Sequence, residues 1–261
     1  MAGKNIKRHE QCEDDAKTIH LFNGRDMNNF YVFLQNRGKN NDPNKVFTVR
    51  DKMIRISGEE YGYLATKEIY ENYHLIAEFK WGEQTFGSRR GRARDSGILL
   101  NSVGEDGAAG GVWMHSIEAQ IIEGGTGDFI VIGDETDNFF VTCPVADERT
   151  RGFYNYQPGG KDATICAAGQ DDWRINRWSR DPNWEDIKGF RDKDEIEKPT
   201  GQWNRFECIV KGQTIKIILN GVLVNECTNV KPQRGKIQIQ SEGAEVFFRR
   251  LDLIPLQQSS K

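Results

Sequence analysis

The sequence lacks any long apolar run. None of its stretches approaches the roughly 18 apolar residues that a membrane-spanning helix needs, so we expect no membrane span. The first twenty residues are charged and contain no apolar core of the kind that marks a secretory signal. We therefore expect a cytoplasmic protein or, if a signal has been removed, a periplasmic or extracellular one.

The sequence also lacks an excess of positive charge. Its 36 Lys and Arg residues are nearly balanced by 39 Asp and Glu residues, which gives a formal net charge of -3. Nucleic acids and anionic membrane surfaces are bound mainly through basic surfaces. We therefore expect neither of them as a partner.

Cysteine is scarce, and its spacing argues against a zinc site. The five cysteines form no Cys-x-x-Cys pair. Cys208 alternates in phase with Phe206 and Val210, so we expect a buried free thiol there. Cys143 and Cys166 flank one segment, and a disulfide between them stays open as an alternative for an oxidising compartment.

Glycine and aromatic residues, by contrast, are plentiful, with 27 Gly, 14 Phe, 7 Tyr and 6 Trp. Short segments with apolar residues at alternate positions recur along the chain, and turn residues separate them. The pair Asn220–Gly221 lies between two such segments and is the strongest short signal for a β-hairpin. Without a long helical pattern or an internal repeat, the chain is predicted to be an all-β antiparallel sandwich.

The segment IEAQIIEGGTGDF, residues 117–129, starts as a strand and then breaks its period. Its first apolar residues suit a buried face, which leaves Glu118 and Gln120 on the opposite face. Glu123 falls out of phase, and a β-bulge near Ile121–Ile122 would return it to the face of Glu118. The segment thus predicts a groove with two carboxyl groups and an amide, and a plain solvent-exposed strand face is the alternative.

Seven segments, in order, resemble the 3-keto-disaccharide hydrolase-like domain family. They are LFNGRDM, GYLATKEIYENYHLIAEFKW, ARDSGILLNS, WMHSIEAQIIEGGTGD, GQWNRFECIVKG, LNGVLVNE and GKIQIQSEGAEVFFRRLDLIPL. The resemblance covers roughly residues 19–256 and implies a jelly-roll β-sandwich of the concanavalin A-like lectin/glucanase type. It also implies carbohydrate as the ligand, and cleavage of glycosides oxidised to a ketone at C3 as the activity.

Three functions stay open for the predicted groove. The spacing of Glu118, Gln120 and Glu123 also resembles the E-x-D-x-x-E strand of laminarinase-type β-glucanases, in which the outer glutamates are nucleophile and acid/base. Gln120 replaces a carboxylate of that motif, which counts against a simple copy of the glucanase mechanism. The functions are elimination from a 3-keto-glycoside with Glu118 and Glu123 as base and acid, retaining hydrolysis by the same pair, and sugar binding without catalysis.

Elimination also needs an electrophile for the enolate oxygen. The candidates are Arg94, Lys80, His115 and a divalent metal ion, namely Ca²⁺, Mg²⁺ or Mn²⁺. Asp95 and Asn101, on one predicted strand, are candidates for substrate contact together with Arg94. The alternatives are an Arg–Asp pair that holds a loop and, for His115, a structural histidine on the core side.

Residues 144–200 are predicted to be a long loop insertion in a single domain that spans residues 19–261, after a flexible tail over residues 1–18. Aromatic rings in the insertion suit the C–H face of a pyranose, and Trp178 and Trp184 are the candidates for that contact. A small core of the insertion itself is the alternative. Trp113 is expected in the main core, and the segment SEGAEVFF is expected to have no chemical role.

Overall fold

The computed structural model describes residues 18–134, 136–167, 172–192 and 194–257. Within these ranges the chain forms nineteen strands and one short 3-10 helix, Gly87–Arg89. In chain order, β1 to β19 are Ile19–His20, Phe30–Leu34, Gly38–Lys39, Phe47–Arg50, Met53–Ile56, Gly62–Thr66, Tyr73–Thr85, Asp95–Val103, His115–Ile122, Phe129–Ile132, Phe140–Thr150, Phe153–Tyr156, Lys161–Cys166, Arg174–Asn176, Asn204–Lys211, Thr214–Leu219, Val222–Lys231, Lys236–Ser241 and Ala244–Pro255. The described residues contain no helix that is long and apolar enough to cross a membrane.

The strands form two sheets that face each other. The first sheet has the order β4–β5–β19–β7–β15–β16–β17, with β1 also paired to β19. The second has the order β3–β2–β6–β18–β8–β9–β10–β14–β12–β11–β13. Strand β17 passes from one sheet to the other, because its first half pairs with β16 and its last residues with β11. The predicted antiparallel jelly-roll β-sandwich is confirmed.

The core lies between the sheets and follows the period-two pattern of the strands. In the first sheet, Phe79 packs against Phe206 and Phe248 with ring centroids 6.3 and 6.2 Å apart. In β9, the three predicted core residues of the second sheet are fully buried; they are Ile117, Ala119 and Ile121. Because side chains alternate along a strand, Glu118 and Gln120 emerge on the outer face of the second sheet.

The predicted loop insertion at 144–200 contains regular structure. Strand β11 continues to Thr150, and β12, β13 and β14 follow before residue 177. These strands extend the second sheet beyond β10, to which β14 is paired. Sequence reasoning missed them because they are short and partly exposed, so they show no clear alternation of apolar and polar residues.

The described cysteines are free thiols. Cys208 is fully buried, as predicted. Cys166 pairs with Phe140 across β11 and β13, three positions along β11 from Cys143, so the disulfide between Cys143 and Cys166 does not form. Residues 1–17, with Cys12 and almost all of the predicted tail, lie outside the described residues.

Candidate functional site

A cavity of about 690 Å³ lies on the outer face of the second sheet. Strands β8, β9, β10, β14 and β18 contribute to it, together with the loop that precedes β9. Its charged and amide-bearing lining residues include Arg89, Asp95, Glu118, Gln120, Arg174, Gln240 and Glu242. Its apolar lining residues include Ala108, Ala109, Trp113, Ile130, Ile132 and Trp173. Such a concave site with a few convergent polar groups is typical of a small-molecule site.

Glu118 is the buried carboxyl group at the centre of this face. Its side chain lies on β9, and the residue is only 3% exposed. Burial raises the pKa of Glu118 well above its usual range, and the negative charge of Glu242 raises it further. The protonated form of Glu118 is therefore favoured over that of an ordinary exposed glutamate.

Gly97 makes room for the side chain of Glu118. A Cβ atom at Gly97 would lie 2.2 Å from Oε1 of Glu118 and 2.4 Å from Oε1 of Gln240. Both oxygens are buried and have no hydrogen-bond partner among the described residues. The absent side chain at position 97 therefore allows the carboxyl group and the amide to meet over β8.

Glu242 is the second carboxyl group with a raised pKa in the cavity. It lies in the turn between β18 and β19 and is half-buried. Burial raises the pKa of Glu242 to about 7, against the opposing effect of the Arg89 cation. Glu242 belongs to the segment SEGAEVFF, for which the sequence suggested no chemical role. The structure instead brings it to the same cavity as Glu118.

Glu123, the predicted partner of Glu118, lies elsewhere. The register between β8 and β9 runs unbroken from Leu100–Ile117 to Asp95–Ile122, so the predicted β-bulge near Ile121–Ile122 is wrong. Glu123 follows the end of β9 and is 4% exposed. Its carboxylate accepts hydrogen bonds from Nη1 of Arg94 at 2.5 Å and from the backbone N–H of Arg94 at 2.9 Å.

The ion pair between Arg94 and Glu123 explains the break in the hydrophobic period. Arg94 is 2% exposed and needs a carboxylate partner in the protein interior. Glu123 also accepts the backbone N–H of Gly189 at 3.0 Å, and its carbonyl oxygen accepts Nε1–H of Trp184 at 2.7 Å. Glu123 therefore joins the insertion to the sandwich, and neither Arg94 nor Trp184 lines the cavity.

Three other predicted contact residues are also outside the cavity. Asn101 is fully buried, and its Nδ2 donates to the carbonyl of Pro232 at 2.9 Å. Lys80 lies on the first sheet, with Nζ 5.0 Å from the ring centre of Trp203. Trp178 is 42% exposed and does not line the cavity.

Four predicted residues do line the cavity, namely Asp95, His115, Glu118 and Gln120. Oε1 of Gln120 accepts the backbone N–H of Ile121 at 3.0 Å, so the amide supports the strand as well as the cavity wall. The ring of His115 meets the ring of Phe139 edge to face, with centroids 4.6 Å apart.

Asp95 forms an Arg–Asp pair, and its partner is Arg89, from the 3-10 helix. Nη1 of Arg89 also bonds Oδ1 of Asp186 at 3.0 Å. Asp95 is 1% exposed. Two carboxylates therefore hold the guanidinium of Arg89 in place at the cavity wall.

A model of the 3-keto-alpha-glucoside-1,2-lyase-like domain matches residues 17–254. The chain belongs to this family. The resemblance seen in the sequence is therefore confirmed, over nearly the whole chain.

A solved structure shares the fold of this lyase-like domain. A "putative glycosyl hydrolase" from Parabacteroides distasonis ATCC 8503 matches with a TM-score of 0.54 at 16% identity, covering 95% of this chain and 97% of that one. A second one from the same organism has a TM-score of 0.49 at 19% identity, covering 92% and 100%. At such low identity the likeness concerns the fold alone. No curated protein matches the chain.

Arg174 is a second cation in the cavity of this lyase-like domain. It lies on β14 opposite Ile130, and its Nε donates to Oδ2 of Asp128 at 3.0 Å. Asp128 is fully buried and also binds Nη1 of Arg180 at 2.9 Å. Because Asp128 is buried and is also bound by Arg180, it holds the guanidinium of Arg174 at the cavity wall.

The site residues that sequence reasoning missed are Arg89, Arg174, Gln240 and Glu242. Arg89 and Glu242 lie outside the strands, and Arg174 is on a strand of three residues. Gln240 alternates with Gln238 on β18, which is the one signal that could have placed it on a groove face. Trp113, expected in the core, is half-buried and lines the cavity.

The described residues offer no clear set of donor atoms for the predicted divalent metal ion. Among the described ranges, no group of three or more His, Cys, Asp and Glu side chains is placed to hold a metal ion. The Asp95 carboxylate in the cavity is paired with Arg89, and Glu118 favours its neutral form. Hard cations prefer several ionised or carbonyl oxygens, so the metal ion stays a prediction and we route no step through it.

Proposed function

We propose that this protein cleaves the glycosidic C1–O bond of a 3-keto-glycoside by elimination, with Glu242 as the base and Glu118 as the acid. One observation carries the proposal. Two glutamates with raised pKa values line one cavity together with two fixed arginines. Pairs of titratable groups held in different environments are the usual basis of acid–base catalysis, and the family to which the chain belongs supports a keto-sugar substrate.

The ketone at C3 makes the proton on C2 acidic, and Glu242 removes that proton. The electron pair of the C2–H bond forms an enolate with its charge on the C3 oxygen. The enolate then expels the glycosidic oxygen from C1 and leaves a C1=C2 double bond, while the proton of Glu118 moves to the leaving oxygen. The step balances, because one proton is taken up and one is given, and no group is oxidised or reduced.

The pKa values suit these two roles. A pKa of about 7 leaves Glu242 partly ionised at neutral pH while it remains a usable base. Burial next to Glu242 raises the pKa of Glu118 and so favours the protonated form that an acid needs. That proton also supplies the donor that the unpartnered oxygens of Glu118 and Gln240 lack.

Arg89 and Arg174 supply positive charge for the enolate oxygen. Arg89 is held by Asp95 and Asp186, and Arg174 by Asp128. Since these cations are already oriented, little reorganisation is needed when negative charge develops on the substrate. They take the electrophilic role for which sequence reasoning considered Arg94, Lys80 and His115.

The test measures product release from 3-keto-glucosides and from unmodified glucosides. We expect wild type to cleave the keto substrate alone and to turn over more slowly when C2 carries deuterium, because the C2–H bond breaks. Glu118→Gln and Glu242→Gln should each lose about 100-fold or more in kcat, the scale of general acid–base catalysis. Glu71→Gln, an exposed glutamate outside the cavity, is the matched control and should behave like wild type.

Other results would identify the two rival functions. Cleavage of unmodified glucosides without a C2 isotope effect would instead favour hydrolysis by the carboxyl pair. Sugar binding by folded wild type and by both variants, with no cleavage of either substrate, would make the protein a carbohydrate-binding module. Loss of turnover in EDTA, restored by Mn²⁺, would show that a metal ion takes part.

A further inference from the structure

The cavity has two chemically different ends along β9. From Gln120 to His115 the strand advances by about 17 Å, at about 3.4 Å per residue, and both residues line the cavity. The end at Gln120 is polar, because Asp95 begins β8 there and Glu242 follows the end of β18. Ile239 pairs with Ile98, so β18 runs toward the same end.

The end at His115 is mainly apolar. Ile132 lies opposite Ser116 at this end, and Ile130 lies opposite Glu118 in the middle of the cavity. Both isoleucines belong to one apolar cluster with Trp113 and Trp173. Both tryptophans line the cavity, so their indole side chains contribute apolar surface to this end.

Two polar side chains, Asp134 and His115, also line the cavity at the apolar end. Asp134 is exposed, and its Oδ1 accepts the backbone N–H of Thr136 at 3.0 Å. The ring of His115 contacts the ring of Phe139 edge to face. A ligand at this end therefore meets mainly apolar side chains with two polar ones, whereas the other end is lined by carboxyl, amide and guanidinium groups.

The loop that precedes β9 contributes Ala108, Ala109 and Gly110 to the cavity wall at the apolar end. Oδ1 of Asp106 accepts hydrogen bonds from the hydroxyl groups of Tyr31 at 2.6 Å and Tyr63 at 2.5 Å. The backbone N–H of Ala109 donates to the carbonyl of Trp113 at 2.8 Å. These contacts fix the loop against the sheet, so binding at this end does not have to order it.

We propose that this cavity takes glycosides with a flat, apolar aglycone such as an aryl group. The sugar ring occupies the polar end near Glu118 and Glu242, and the aglycone ring packs against Trp113 and Trp173. A volume of about 690 Å³ suits a ligand of two rings. The position of the glycosidic bond rests on the proposed function, whereas the preference for the aglycone is a property of binding.

The experiment compares glucosides that differ in the aglycone alone. Dissociation constants of non-cleavable phenyl, methyl and glucosyl thioglucosides are measured by calorimetry, and kcat/KM is measured for the matching 3-keto O-glucosides. We expect the phenyl compound to bind at least about tenfold more tightly than the other two, the scale of burying one apolar ring. Trp173→Ala and Trp113→Ala should each reduce the phenyl-to-methyl ratio several-fold, and Trp178→Ala, outside the cavity, should leave it unchanged.

The two proposals fail in different ways. Turnover with equal binding of phenyl and methyl compounds, or with tighter binding of the glucosyl compound, overturns the aglycone preference and leaves the elimination intact. Phenyl-selective binding without turnover of any substrate keeps the preference and overturns the elimination. A phenyl-to-methyl binding ratio that is unchanged in both Trp113→Ala and Trp173→Ala also overturns the aglycone preference. If Trp113→Ala does not fold, Trp173→Ala and Trp113→Phe decide the matter.

Discussion

Replacing Glu123 by alanine should cost about 3–5 kcal/mol of unfolding free energy, because it leaves a buried cation without its main partner. Arg94 is 2% exposed and bonds Glu123 through Nη1 at 2.5 Å. After the change, the guanidinium keeps Oγ1 of Thr200 at 3.1 Å and a distant carboxylate oxygen of Glu83 at 3.6 Å. The backbone N–H of Gly189 also loses its acceptor, which lies at 3.0 Å.

Urea unfolding followed by tryptophan fluorescence measures this cost. The expected loss is a large part of the roughly 5–15 kcal/mol that stabilises a typical domain. The matched control is Glu83→Ala, which removes a carboxylate near the same guanidinium. The Glu83 side chain is 76% exposed, so the control should cost at most about 1 kcal/mol. If Glu123→Ala shifts the unfolding midpoint no more than the control does, the structural role that we assign to Glu123 is wrong.

Two further predictions concern the cavity and the core. Gly97→Ala would bring a Cβ to 2.2 Å from Oε1 of Glu118, more than 1 Å inside an ordinary contact. The carboxyl group must then move, and we expect kcat/KM on a 3-keto-glucoside to fall about 100-fold; a fall of less than about threefold would contradict this. Burial raises the pKa of Glu197 to about 8, above the value of about 4.3 in an unfolded chain. The stability that Glu197 contributes is therefore complete below about pH 4 and is lost as the pH rises through about 8. The unfolding free energy of the wild type should fall between these limits, and Glu197→Gln should make that fall smaller. An unchanged slope in urea unfolding would refute this assignment.

The position of Glu118 could be predicted because it depends on local geometry. Side chains alternate along a strand, so three buried apolar residues on β9 place Glu118 and Gln120 on the outer face wherever the strand lies. The same alternation identified Cys208 as a buried thiol. Matches to the family segments along the chain then indicated which sandwich these strands would build.

Glu123 could not be placed by the same reasoning. After Ile122 the chain leaves the strand, so the period no longer says where a side chain points. Its partners are Arg94, before β8, and Gly189, in the insertion. The tertiary fold brings the two buried opposite charges of Arg94 and Glu123 together, and their separation in the sequence does not predict this contact.

Sequence reasoning also did not identify three residues that line the cavity, namely Glu242, Arg89 and Arg174. Glu242 is 124 residues beyond Glu118 in the chain, and the two meet because β18 pairs with β8 and β8 pairs with β9. Arg89 and Arg174 reach the cavity from a 3-10 helix and from a strand of three residues. No periodic pattern marks any of the three positions.

The amino-acid pattern alone determined the class of fold, the family and the faces of the long strands, since these depend on a period of two residues and on local turns. The tertiary structure decided which carboxyl group lies in the cavity with Glu118, and which arginines and tryptophans line that cavity. Those features depend on the register between strands that are distant in the chain. They also depend on the burial that shifts a pKa, and burial exists only once the two sheets have packed.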